Sequence, residues 1–155
     1  MTTMTVTTTP PKLAVALVVL GGVIWLLAGV AYGAAVAACS TCAEWVVADG
    51  VDTSTFSPAA VQNLAWADLY ATLYLATFGL LAIVIGLTAF RRGEGWAWVA
   101  IAIMLLAFLL TAVIDELAWG GWYTFLGLGV VPLLGLLLSA RGFLGGFNAN
   151  RQLHG

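Results

Sequence analysis

Two cysteines separated by two residues, Cys39-Ser40-Thr41-Cys42, are the most reactive side chains in this sequence. In a C-x-x-C of this kind a thiolate attacks a disulfide sulfur, so the motif is the usual centre of thiol–disulfide exchange. In an oxidising compartment the same cysteines instead pair structurally or bridge to a partner. Three acids form the second candidate. Asp68, Asp115 and Glu116 stand at the ends of long uncharged runs, and neighbouring carboxylates raise one another's pKa and attract a cation or a proton. The plainer reading makes them interfacial charges that end their helices in headgroups and water.

Small residues supply a third pattern. Gly29 and Gly33 form a G-x-x-x-G that Ala37 extends along one stripe, and Gly79 and Gly86 make a similar face later in the chain. Gly127, Gly129 and Gly135 surround Pro132, where a helix is expected to kink. Such surfaces let helix backbones approach closely. They serve either packing within the chain or docking of another membrane protein.

These residues need elements to position them, and composition states what those are. Of 155 residues, 63% are hydrophobic and 8% charged, against about 25% charged in soluble domains. The mean hydropathy is +1.06. A spanning helix needs about 20 apolar residues, and four uncharged runs meet or approach this: 13–38, 69–90, 96–114 and 119–140. Arg91 to Gly95 is a short turn that makes the second and third helices antiparallel neighbours, and Asp115 to Gly121 is a second tight turn. The long connection is 39–67. Within it Ser57-Pro58 reads as an N-cap followed by proline at the first helical position, so the second helix starts near Pro58. Counted from the inner boundary, Asp68 and Asp115 then lie roughly 33 and 29 Å up, near the outer edge of the hydrocarbon.

Charge sets the orientation. In an up-down-up-down arrangement Lys12, Arg91, Arg92, Arg141 and Arg151, all the cations of the chain, fall on one side. Of the acids only Glu94 joins them. By the positive-inside rule both termini are cytoplasmic. Residues 1–12 read as a mobile leader. Residues 142–155 read as a cytoplasmic tail whose two phenylalanines lie on the inner membrane surface. Val36-Ala37-Ala38-Cys39 has the form of a lipoprotein cleavage box. The apolar run before it is 26 residues long, whereas a signal peptide's is about 7–15, so no cleavage is expected.

Several chemistries lack their residues. The single histidine is His154, and no lysine lies inside a span, which leaves no paired haem ligands, Ser-His-Asp triad or retinal-type Schiff base. No phosphate-binding glycine motif is present. Five cations in a chain of net charge −2 make no nucleic-acid surface. No metal site and no cofactor are expected. The C-x-x-C in the first outer loop of a four-helix protein is similar to the quinone-coupled disulfide oxidoreductases of the DsbB and vitamin K epoxide reductase type. That resemblance implies redox work at Cys39 and Cys42. Those families relay electrons through a second cysteine pair, and this chain has two cysteines in total.

The sequence thus reads as an all-α membrane protein. Four antiparallel transmembrane helices over 13–141 form a bundle in the cell membrane, with both termini cytoplasmic. By elimination it has no catalytic site of its own. It works in the lipid bilayer as an accessory or scaffold subunit of a membrane assembly, or as a homo-oligomer. One alternative is a transporter or channel subunit with a cation site at Asp68, Asp115 and Glu116. The other is a thiol–disulfide oxidoreductase using Cys39 and Cys42.

Overall fold

The computed structural model describes residues 9–38, 55–119 and 122–152, and their side chains over 9–38, 55–114 and 127–143. It contains four α-helices: α1 (Lys12–Ala38), α2 (Pro58–Ile85), α3 (Gly95–Trp119) and α4 (Trp122–Gln152). A π-helical turn, Gly86–Phe90, prolongs α2. No strand occurs among the described residues. Three segments are long and apolar enough to cross a membrane: Lys12–Ala38, Pro58–Phe90 and Gly95–Ile114. The described apolar stretch of α4, Gly127–Phe143, is shorter.

Helix starts follow local chemistry. The Pro11 carbonyl accepts the first bond of α1, from the Val15 N–H at 3.2 Å, and proline's missing N–H costs nothing at a helix entry. At α2 the Ser57 hydroxyl accepts from the Ala60 N–H at 3.2 Å, with Pro58 at the first helical position. The expected N-cap is therefore present, and α2 begins about ten residues before the uncharged run does.

Two ends run beyond the sequence reading. α3 continues through Asp115 and Glu116 to Trp119, so these acids belong to a helix rather than to a turn. Glu116, Leu117 and Ala118 are good helix formers, and Gly120 is the first residue there that weakens a helix. α4 continues through the expected tail to Gln152. Phe143, expected on the membrane surface, is buried, with its ring 5.4 Å from Phe90 and 6.5 Å from Trp98. Burying that aromatic against two others gives the last part of α4 a reason to stay helical.

The neighbours also differ from expectation. α1 packs mainly against α2 and then α4, while α3 packs mainly against α4. Although a short turn joins them, α2 and α3 meet chiefly where the π turn reaches α3. The cause is which face is narrow. The glycines of α2 face α1, which draws those two backbones together and leaves α3 to pair with α4. Contacts at Gly22 with Gly79 and at Gly29 with Ala76 show residue numbers rising along α1 as they fall along α2. The core cluster draws on all four helices, with Val18 and Trp25 of α1, Ala82 of α2, Ile101 and Leu105 of α3 and Leu136 of α4.

Candidate functional site

Among the described glycines, the tightest approaches to a neighbouring backbone lie between α1 and α2. A Cβ built on Gly29 would lie 2.6 Å from the Ala76 nitrogen and 2.7 Å from the Thr72 carbonyl oxygen. One built on Gly22 would lie 2.8 Å from the Gly79 carbonyl oxygen, and one on Gly33 2.9 Å from the Thr72 hydroxyl. From the other side, a Cβ built on Gly79 would press against the Leu26 nitrogen and lie 2.6 Å from the Gly22 carbonyl oxygen. No real Cβ tolerates these distances against backbone. Both helices carry glycine seven residues apart, Gly22 and Gly29 on α1 and Gly79 and Gly86 on α2. Two turns of one helix therefore register on two turns of the other. The stripe of Gly29 and Gly33 is thus covered by α2, and Ala37, its expected extension, is exposed.

A second contact joins α1 to α4 through Pro132. Proline has no N–H, so the Leu128 carbonyl four residues earlier loses its helical donor. The Trp25 indole N–H donates to that carbonyl at 2.9 Å. The Pro132 ring sits over Gly21, whose Cβ would fall 2.7 Å from the proline Cδ. Trp25 is fully buried, and its ring centroid lies 5.0 Å from that of Phe108 in α3. One side chain of α1 thereby touches two other helices. Lower on α4, the Ser139 hydroxyl donates back to Gly135 at 3.0 Å, and the Trp98 indole donates to the Leu136 carbonyl at 3.3 Å.

Sequence reasoning marked Pro132 but missed Gly21, Gly22 and Trp25. A signal existed. Among seven tryptophans Trp25 alone falls near the middle of an uncharged run, and a buried indole N–H needs an acceptor. The carbonyl four residues before the one proline in a span is the natural place to look.

Of the carboxylates, Asp68 is half-buried on α2 one turn from Thr72, within electrostatic reach of Tyr32 on α1. The Thr72 hydroxyl donates to the Leu69 carbonyl at 2.8 Å. This makes a small polar spot between α1 and α2. Asp115 and Glu116 belong to α3, but their side chains lie outside the described residues. Cys39 and Cys42 lie outside them altogether. Among the described residues no three His, Cys, Asp or Glu side chains come together.

At the opposite end the chain reverses in a tight turn. The Arg91 N–H donates to the Gly86 carbonyl and the Glu94 N–H to the Ala89 carbonyl, closing the π turn. Gly93 takes φ 76°, a left-handed conformation that glycine adopts without steric cost. Glu94, the one acid among the cations, has a local reason to be there. The Arg92 Nε lies 2.8 Å from one of its oxygens, and the Trp96 indole donates to the other at 2.6 Å.

Comparison of the chain with protein-family models, with curated proteins and with solved structures finds no match.

Proposed function

We propose that this is an integral membrane protein of four spans with both termini cytoplasmic. It acts by contact, as an accessory or scaffold subunit of a membrane assembly or as a homo-oligomer, without a catalytic site of its own. The observation that carries this reading is where the hydroxyls within the apolar helices go. Thr72, Thr77, Thr88, Thr111 and Ser139 each donate to a carbonyl three or four residues back in their own helix. Each of these hydroxyls has given its proton to its own helix, and Thr77, Thr88 and Thr111 lie on exposed faces instead of along an internal path between helices.

The outward faces support membrane insertion. Leu13, Leu27, Ile103 and Leu137 are each about three-fifths exposed, and in water such surface would drive aggregation. The glycine stripe of α1 is used inside the chain, so a partner would meet the outward faces, the outer connection 39–67 or the end of α4. Orientation rests on the cations, since all five fall on one side of four antiparallel spans.

Gentle detergent extraction of native membranes, followed by mass measurement, tests the contact-based role. A mass above that of the 16.2 kDa chain, from a second protein or further copies, is the expected result. A lone monomer without partner or bound small molecule would remove this reading and favour transport.

A further inference from the structure

Contacts between the helices collect four cations at one end of the molecule. Lys12 opens α1 two residues before Ala14, whose carbonyl oxygen lies 2.9 Å from the Cβ position of Gly135 in α4. Arg91 follows Phe90, whose ring is 5.4 Å from that of Phe143. Arg141 stands two residues before Phe143, and Arg92 lies in the turn itself. All four are exposed. Glu94 is the one acid in this region, and both its oxygens are engaged by Arg92 and Trp96. Four cations against one acid leave a net +3 at this end. Among the described residues no ion pair takes up Lys12, Arg91 or Arg141.

Apolar surface adjoins these charges. Leu13 is next to Lys12 and is 61% exposed, and Leu137 is one helical turn before Arg141 on the same outward face, also 61% exposed. Trp96, an amphipathic residue in the first turn of α3, is 56% exposed. A ligand matching this surface carries a negative head and an apolar tail. Inorganic phosphate supplies only the first.

We infer that this end of the protein selects anionic phospholipids, with the lipid phosphate at Lys12, Arg91 and Arg141 and the acyl chains along Leu13 and Leu137. The inference rests on the membrane reading above. Cations near a membrane surface each favour anionic over neutral lipid by a factor of roughly five.

The test uses the full chain in phosphatidylcholine bilayers, with tryptophan quenching by brominated phosphatidylglycerol compared with brominated phosphatidylcholine. The Trp96 signal is isolated by difference from Trp96→Phe. Phosphatidylglycerol is expected to be preferred at Trp96 by at least about fivefold. The preference should fall by about fivefold or more in the double variant Arg91→Gln and Arg141→Gln, which keeps Lys12, and should rise in Glu94→Gln, which removes the local negative charge. Quenching by brominated phosphatidylcholine checks that each variant remains inserted. Equal quenching of the wild type by both lipids would overturn the inference and leave membrane insertion standing. So would a preference unchanged in the double variant, or one abolished by inorganic phosphate at constant ionic strength, which would make free phosphate the ligand. Quenching by neither lipid would overturn membrane insertion itself, and the inference with it.

Discussion

Replacing Gly79 with leucine is expected to lower the unfolding stability of the purified protein by about 3 kcal/mol or more. The Cβ alone would sit 2.6 Å from the Gly22 carbonyl oxygen and against the Leu26 nitrogen. Both are backbone atoms in the middle of α1, so no rotamer change relieves the contact. The helices must move apart. That separation also loosens Gly29 from Ala76 and Gly86 from Val19, contacts in the same seven-residue register. In the membrane setting proposed above no hydrophobic effect compensates, because close van der Waals packing drives helix association in lipid. The matched control is Gly127→Leu, since no described residue lies within 4 Å of a Cβ at Gly127. Its midpoint in a detergent unfolding titration should stay near that of the wild type. Indistinguishable midpoints for the two variants would contradict the α1–α2 crossing.

The second large effect centres on Trp25. Trp25→Phe keeps an aromatic ring against Phe108 but removes the donor to the Leu128 carbonyl. That carbonyl has no helical donor because Pro132 stands four residues later. A buried polar group left unsatisfied costs about 1–3 kcal/mol. Hydrogen bonds in membrane helices average nearer 0.6 kcal/mol, since other partners can be found. About 1–2 kcal/mol is therefore expected for Trp25→Phe. A double-mutant cycle isolates the cause. Pro132→Ala restores an N–H to the Leu128 carbonyl from within α4, although it also empties the space over Gly21. In that background Trp25→Phe should cost about 1 kcal/mol less than in the wild type. Equal costs in both backgrounds would mean that Trp25 contributes through packing alone.

Much of the helix placement was legible from residue types. Uncharged runs located the three long apolar helices, and Ser57-Pro58 announced the start of α2 well before its uncharged run. Helix ends were less legible. Asp115 and Glu116 looked like a turn because they are charged, yet charge does not stop a helix, and α3 runs on through both to Trp119. Phe143 looked superficial because glycines follow it, and only its contacts with Phe90 and Trp98 make it core.

Neighbours were the least legible feature. A short turn between Arg91 and Gly95 argued for α2 against α3, but turn length limits how far two helix ends can separate without setting which faces meet. That choice lies in matching small surfaces, Gly22 and Gly29 on one helix with Gly79 and Gly86 on the other. The spacing was readable, but the pairing needed both helices at once. At the candidate sites Pro132 stood out by type, whereas its partners Gly21 and Trp25 did not. An orphaned carbonyl is visible in sequence only to a reader who counts back four residues.

The most direct test of the four-span, cytoplasmic-termini arrangement is labelling of single cysteines by a membrane-impermeant thiol reagent on intact cells. With Cys39 and Cys42 first replaced by serine, Asp52→Cys and Glu94→Cys report the two sides. The expected result is rapid labelling of Asp52→Cys, and labelling of Glu94→Cys only after the membrane is permeabilised. Labelling of Glu94→Cys in intact cells, with Asp52→Cys protected, would contradict the orientation and place the cationic end outside.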